Sequence, residues 1–384
     1  MIMDYETLKL VWWGLIGALL IGFAITDGMD MGVGILLPFL GRADSERRVI
    51  INTVGPHWDG NQVWLITAGG AIFAAWPLVY AAAFSGFYMA MLLVLFALFF
   101  RPVGFDYRSK LEDDRWRSAW DWGLFAGSLV PALIFGVAFG NLLQGVPFHL
   151  DSMLRSHYEG SLLTALLPLL NPFALLCGLI SVAMLALHGA TWLHLRTHYP
   201  VADRARTVAM ILGAGVIVLF ALAGLWVAYG LDGLRIVVQP DPGGLPNPLG
   251  KTVVAAPGAW LDIYSTVPLA LAAPALGFLG ALLAIVFNWA ERPGLGYVGS
   301  SLSLAGIILT AGASMFPFIL PSSTDPGSSL TAWDATSSHL TLTVMFWAVV
   351  IFLPLVLIYT VWCYVRMWGK LSEEDIRSSR VSAY

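Results

Sequence analysis

Residues 60–100 read GNQVWLITAGGAIFAAWPLVYAAAFSGFYMAMLLVLFALFF. These 41 residues contain no Asp, Glu, Lys or Arg, and polar and apolar residues do not alternate. A membrane-spanning helix needs about 20 apolar residues, whereas a barrel strand needs about 9–11 residues of alternating polarity. Since backbone amides in hydrocarbon must bond within their own segment, the stretch predicts two spanning helices that meet at Trp76-Pro77.

The rest of the chain has the same character. Of its 384 residues, 58% are hydrophobic and 11% are charged, against about 25% charged in a soluble domain. This little charge cannot cover a water-facing surface, and 20 basic residues against 24 acidic ones do not indicate a nucleic-acid binder. With only two cysteines, a disulfide scaffold is also excluded. The composition predicts an all-α integral membrane protein, with residues 1–384 as a single polytopic domain.

Charge-free windows along the chain, with the N-terminal segment, predict nine transmembrane helices. Their expected bounds are 9–39, 53–75, 79–100, 120–141, 168–192, 207–230, 260–288, 298–320 and 336–366. With the N-terminus outside, sixteen Lys and Arg residues lie in inner loops and only Lys9, Arg155, Arg235 and Lys251 lie outside. The positive-inside rule therefore predicts a periplasmic N-terminus and a cytoplasmic C-terminus. The Gly- and Pro-rich outer loop 231–259 is expected to be irregular.

Acidic residues inside the spans are the first candidates for chemistry. Asp27 and Asp30 lie three residues apart in the first span, so they share a helix face. An acid at the centre of a spanning helix costs about 2.5–3.5 kcal/mol on insertion and usually faces a partner or water. Two interpretations stay open: a proton or cation relay, or a polar inner end of the helix.

The second span opens with a denser polar cluster. His57 and Asn61 are i,i+4 neighbours, and Asp59 lies between them. A carboxylate, an imidazole and an amide that are reachable from the inside suit a proton entry site. The alternative is an interfacial helix start with Asp59 as its cap.

Two further charged residues lie near the same predicted membrane face. Arg101 ends the third span and Asp121 begins the fourth. Arg101 could pair with Asp30, Asp59 or Asp121 and neutralise one acid. The alternative is that Arg101 is an ordinary orienting charge at a cytoplasmic helix end.

The histidines indicate no heme or metal site. None of the seven forms a His-x3-His or Glu-x-x-His pair within a span, and the chain has no Cys-x-x-Cys. We therefore expect no metal ligands and no heme bound by this chain. Nucleotide-binding loops and nucleophile elbows are also absent from the sequence.

Several long runs carry a family resemblance. They are GPHWDGNQVWLITAGG at 55–70, FRPVGFDYRSK at 100–110, VAFGNLLQGVPF at 137–148, MFPFILPSST at 315–324 and WDATSS at 333–338. In these runs the chain resembles subunit 2 of the cytochrome bd ubiquinol oxidases. The likeness extends from the N-terminus to about residue 376 and is weakest at 150–165 and 235–257.

The resemblance implies a fold and a function. The fold would be two four-helix bundles plus one peripheral helix, in the bacterial inner membrane. The chain would bind no heme, because hemes b and d and the quinol-oxidising loop belong to subunit 1. A small single-helix accessory subunit and, in some members, a structural ubiquinone would complete the complex. The family's cytoplasmic proton path to the oxygen site maps onto Asp59.

Two other functions stay open from the residues alone. A proton-coupled secondary transporter would also place acids inside spans, and it would carry inverted repeats. A passive assembly scaffold would need no proton role for Asp59.

Overall fold

Most of the described chain is helical. The computed structural model describes residues 3–158, 166–239 and 241–378. Pro240 of the predicted loop 231–259 and Arg380, one of the sixteen basic residues counted on the inner side, therefore lie outside it. The helices are α1 (Tyr5–Leu40), α2 (Asp44–Asn52), α3 (Trp58–Ala75), α4 (Pro77–Gly86), α5 (Tyr88–Leu98), α6 (Phe100–Tyr107), α7 (Asp114–Gln144), α8 (Leu166–Leu169), α9 (Pro172–Arg196), α10 (Val201–Gly230), α11 (Asp262–Thr266), α12 (Ala272–Trp289), α13 (Pro293–Met315), α14 (His339–Arg366) and α15 (Glu373–Ser378). The strands are β1 (Phe148–Leu150), β2 (Ser156–Tyr158), β3 (Asp232–Val238), β4 (Thr252–Pro257), β5 (Phe318–Leu320) and β6 (Leu330–Thr331).

Eight helical segments of the described residues are long and apolar enough to cross a membrane. They are Tyr5–Leu40, Tyr88–Lys110, Asp114–Gln144, Pro172–Arg196, Val201–Gly230, Pro268–Trp289, Pro293–Met315 and His339–Arg366. Eight of the nine predicted spans overlap one of these segments, and the span predicted at 53–75 overlaps α3. The chain is therefore a multi-pass membrane protein.

Two predicted spans are interrupted. The span predicted at 79–100 begins at Pro77 and breaks at Phe87, where Gly86 lies against the ring of Tyr158. The span predicted at 260–288 begins its regular helix only at Ala272. Pro268 explains the second break, because a proline lacks an N–H group and pushes the residue before it out of the helical conformation.

The described residues are mostly helical, as predicted, but their loops also form three antiparallel hairpins. In the loop expected to be irregular, β3 pairs with β4, with Leu234 opposite Ala255. The β-branched runs 236–238 and 252–254 favour strands, and a 3-10 turn at Pro248–Gly250 precedes β4. The hairpins β1–β2 and β5–β6 are shorter.

Glycines let the central helices approach closely. α1 packs against α3, α7 and α9, and α9 packs against α10 and α13. A Cβ on Gly32 would lie 2.0 Å from the Leu185 carbonyl oxygen, and one on Gly189 would lie 2.4 Å from the Gly32 carbonyl carbon. Small residues permit such contacts between membrane helices.

By contrast, α14 packs against α1 and α3 and buries only Leu342.

Arginines satisfy helix C-termini at one end of the helices, which we call the arginine-rich end. Arg204 donates to the Leu40 carbonyl of α1, and Arg206 donates to the Asn288 and Trp289 carbonyls of α12. The last carbonyls of a helix lack intrahelical partners. A cation there donates hydrogen bonds to them and also interacts favourably with the negative end of the helix dipole.

The opposite end, which we call the hairpin end, carries β1 to β6. Here the buried ammonium of Lys9 donates to the carbonyls of Pro242, Gly244 and Trp333 at 2.7–3.2 Å.

Ser337 joins the break between α3 and α4 to the start of α14. Its Oγ donates to the Ala74 carbonyl at 2.5 Å, and its amide donates to the Ala75 carbonyl at 2.8 Å.

Candidate functional site

A fully buried ion pair lies near the arginine-rich end. The Arg101 guanidinium donates to both Asp27 oxygens, at 2.5 and 3.0 Å. Both side chains have zero exposure. Two parallel hydrogen bonds fix the orientation of both groups. Asp30, Asp59 and Asp121 were the possible partners of Arg101 considered from the sequence, and Asp27 is its partner instead.

Asp30 lies one turn further along α1 and is equally buried. Its Oδ2 accepts from the Asn61 amide at 2.9 Å. Its Oδ1 has no hydrogen-bond partner among the described residues. The cluster therefore contains two carboxyl groups and one guanidinium, so it has one carboxyl group more than cations and can hold a proton.

Asn61 is the junction of this cluster. Its amide nitrogen also lies 3.1 Å from His57 Nδ1, and its amide oxygen accepts from the Tyr364 hydroxyl at 2.9 Å. The i,i+4 spacing on α3 brings His57 and Asn61 together, as the sequence predicts. Tyr364 of α14 was missed, because a single Tyr in an apolar span gives no sequence signal.

Aromatic rings close the cluster on one side. The Arg101 guanidinium lies 6.0 Å from the Trp58 ring centroid, at the limit of a cation–π contact. Trp58 in turn stacks on Phe105 at 5.2 Å. The opening turn of α3 therefore contributes both the polar group Asn61 and the apolar cover Trp58.

Asp59 lies apart from this cluster. Its side chain is exposed and makes no hydrogen bond or ion pair with the described residues. It does not cap α3, which has no side-chain cap hydrogen bond. Asp59 is the first residue of an exposed stripe on α3. The next residues of the stripe, at helical spacing, are Val63, Ile66, Gly70 and Phe73.

Asp121 belongs to a second network at the arginine-rich end. Its carboxylate accepts from Arg108 at 2.5 and 3.1 Å and from Arg47 at 2.8 Å. Asp44 bridges Arg108 and Arg117 at 2.9 Å each. Through Arg108, which directly follows α6, this network joins α6 to α2 and α7, and Asp121 forms no ion pair with Arg101.

The buried histidines form hydrogen bonds with other residues of the chain. His188 has its Nδ1 2.7 Å from the Ser300 hydroxyl and its Nε2 3.0 Å from the Ile25 carbonyl. His194 Nδ1 lies 2.7 Å from the Asn288 side-chain oxygen. In the part of the chain that the structure describes, no group of three His, Cys, Asp or Glu residues could hold a metal ion.

Comparison with known proteins gives a consistent result. Residues 8–367 match the family described as cytochrome bd terminal oxidase subunit II. The chain is 57% identical over 381 residues to the cytochrome bd-I ubiquinol oxidase subunit 2 of Escherichia coli K12, covering 99% of this chain and 100% of that one. It is 33% identical to the cytochrome bd ubiquinol oxidase subunit 2 of Bacillus subtilis, covering 95% and 97% of the two chains.

A solved structure shares the fold. A chain of the bd oxidase from Geobacillus thermodenitrificans superposes with a TM-score of 0.68, covering 94% of this chain and 98% of that one. At 15% identity, this likeness concerns the arrangement of the helices alone.

Proposed function

The chain belongs to the cytochrome bd terminal oxidase subunit II family, and from this premise we propose that its Asp59 carries protons from the cytoplasm toward the oxygen-reducing site of the partner subunit. The chain is a subunit of a respiratory quinol:oxygen oxidoreductase in the bacterial inner membrane. The family implies a partner, subunit 1, that carries the hemes. A proton-coupled transporter is not favoured, because the relatives are oxidase subunits.

The position of Asp59 carries this proposal. A carboxylate facing lipid at the centre of a helix costs about 2.5–3.5 kcal/mol, so acids in spans usually face protein or water. Asp59 begins an exposed stripe on α3, and an added Cβ at Gly70 of the stripe, or at Gly60 or Gly69 beside it, meets no atom within 4 Å. This open face suits coverage by subunit 1, which would leave the carboxylate at the boundary between the two subunits.

The buried cluster then has a positioning role. Asp30, His57 and Asn61 lie on the other side of α3 from the exposed stripe, and Arg101 holds Asp27. These contacts fix the opening turn of α3 against α1 and α14 and so fix the direction in which Asp59 points. Asp121 fixes the neighbouring ends of α2, α6 and α7 in the same way.

The proposed orientation of the chain explains how the reaction generates a membrane potential. In our proposal the arginine-rich end faces the cytoplasm and the N-terminus faces the periplasm, in accord with the positive-inside rule. Reduction of dioxygen to water consumes protons, and Asp59 receives them from the inside. Oxidation of quinol releases protons outside, so turnover generates a membrane potential without a dedicated pump.

The remaining parts of the proposal rest on the family resemblance. They are nine spans with α3 as the second, arranged as two four-helix bundles with α14 peripheral, and 1–384 as one domain. They also include a small single-helix accessory subunit and a structural ubiquinone. Mass spectrometry of the purified complex, with organic extraction of quinones, tests the last two.

The proton role of Asp59 is tested by Asp59→Asn in the assembled complex. We expect slower oxygen consumption and slower proton uptake with unchanged heme spectra, because an amide cannot titrate. Asp59→Glu should restore part of the rate, since it returns a carboxylate.

Asp106→Asn is the matched control, because Asp106 is an exposed acid of α6. It should leave oxygen consumption unchanged. Wild-type turnover in the Asp59→Asn complex, with normal heme content, would remove Asp59 from the proton path.

A further inference from the structure

Two histidines face each other across the β1–β2 hairpin. His149 and His157 are direct partners in the antiparallel register, and their ring centroids are 5.4 Å apart. Directly opposed residues have Cβ atoms about 4.5–5.5 Å apart. Both side chains are exposed, so neither ring is needed in the core.

The backbone that presents the two rings is well anchored. Phe148 and Leu150 flank His149 and are buried. Tyr158 follows His157, and its hydroxyl donates to the Ala82 carbonyl of α4. The register is therefore fixed by the packing of neighbouring residues and not by the two exposed rings.

Asp151 holds one of the rings. Its Oδ1 accepts from the amides of Met153 and Arg155 at 2.9 Å each, and its Oδ2 accepts from the Arg155 side chain at 2.8 Å. His157 Nε2 lies 3.1 Å from the same Oδ2.

This contact assigns the ring nitrogens of His157. A carboxylate only accepts hydrogen bonds, so His157 donates through Nε2–H, and its Nδ1 keeps a free lone pair. Among the described residues, the ring of His149 has only the His157 ring as a partner. The hairpin thus offers one available nitrogen from His157 and another from His149.

We propose that this hairpin binds a divalent transition-metal ion of the class that prefers imidazole, Cu²⁺ or Zn²⁺, through one nitrogen each of His149 and His157. Asp151 is the positioning residue, since ligating histidines commonly donate their other N–H to a carboxylate. The described residues supply no third protein ligand, so water completes the coordination. The site lies at the hairpin end, away from Asp59, and it does not depend on the proton path.

The test uses the whole purified oxidase complex without a polyhistidine tag. Calorimetric titration with Zn²⁺ should show one site that is at least tenfold weaker in His149→Ala and in His157→Ala. Asp151→Asn should weaken it about 10–100-fold, the effect usual for partners of a ligating histidine. Cu²⁺ should bind more tightly than Zn²⁺.

His198→Ala is the matched control, because His198 is an exposed histidine at the arginine-rich end and should leave the affinity unchanged. Electron paramagnetic resonance of the Cu²⁺ complex should show two coupled nitrogens in the wild type and one in either alanine variant. Equal Zn²⁺ affinity in the wild type and both alanine variants would overturn the proposal. So would a Cu²⁺ spectrum that is the same in all three proteins.

Discussion

Asp27 and Arg101 form an ion pair with no access to solvent, which makes each charge depend on the other. The desolvation of two buried charges can cancel their mutual attraction, so the pair as a whole need not stabilise the protein. Removing one partner has a different effect, because the other charge stays buried without a counter-ion.

We therefore predict that Asp27→Asn lowers the free energy of unfolding by about 3–5 kcal/mol, the range seen when a buried pair is broken. The loss should appear as a lower melting temperature of the purified complex, followed by Trp fluorescence. Heme content should fall with it if the site supports assembly.

Replacing both partners separates the cost of an unpaired charge from the contribution of the pair. The double variant Asp27→Leu with Arg101→Leu should melt closer to the wild type than Asp27→Asn does. A double variant that is less stable than the single one would show that the pair stabilises the fold directly.

The sequence predicted which residues are polar within the spans, but not how they pair. Asp27 and Arg101 are 74 positions apart, and the pairing depends on how α1 and α6 are placed by the whole bundle. His57 and Asn61 were predicted as neighbours because one helical turn brings them together regardless of the rest of the fold.

At the scale of elements, the contact between α1 and α9 depends on two glycines. A Cβ at Gly189 would lie 2.4–2.5 Å from backbone atoms of Gly32 and Val33, which cannot move as a flexible side chain can. We predict that Gly189→Ala lowers the free energy of unfolding by about 1–3 kcal/mol, as overpacking does. Thermal melting of the complex measures this.

Gly215→Ala is the matched control on α10, because a Cβ there meets no atom within 4 Å. Alanine is favoured over glycine inside a helix by about 1 kcal/mol, so this variant should melt at or above the wild-type temperature. Equal losses in both variants would mean that the close helix contact has no special role.

The hairpins show where sequence patterns fail at this scale. Strands β1 and β2 have three residues each, which is too short for an alternating pattern to be visible. The helices could be predicted because a hydrophobic segment of about 20 residues satisfies its backbone hydrogen bonds in a membrane by forming a helix. Their interruptions at Phe87 and Pro268 depend on local packing and on proline chemistry.

At the scale of the whole molecule, the two ends differ sharply in charge. We predict that Ser152→Cys, in the turn between β1 and β2, reacts with a membrane-impermeant maleimide in intact spheroplasts. Asp114→Cys, at the start of α7, should react only after the membrane is permeabilised. Both residues are exposed, so accessibility across the membrane is what differs.

The labelling background should carry Cys177→Ala and Cys363→Ala, which removes both native thiols. Labelling of Asp114→Cys in intact spheroplasts, with Ser152→Cys protected, would reverse the proposed orientation. It would also place Asp59 on the wrong side for uptake of protons from the cytoplasm.

The contact of Ser337 with the break after α3 joins residues 263 positions apart. During synthesis, the Ala74 and Ala75 carbonyls emerge from the ribosome long before Ser337, which donates the hydrogen bonds to both of them. Until then water or lipid headgroups have to satisfy them. The break is therefore among the last places in the protein to be completed, and a chain truncated before residue 337 would leave it permanently open.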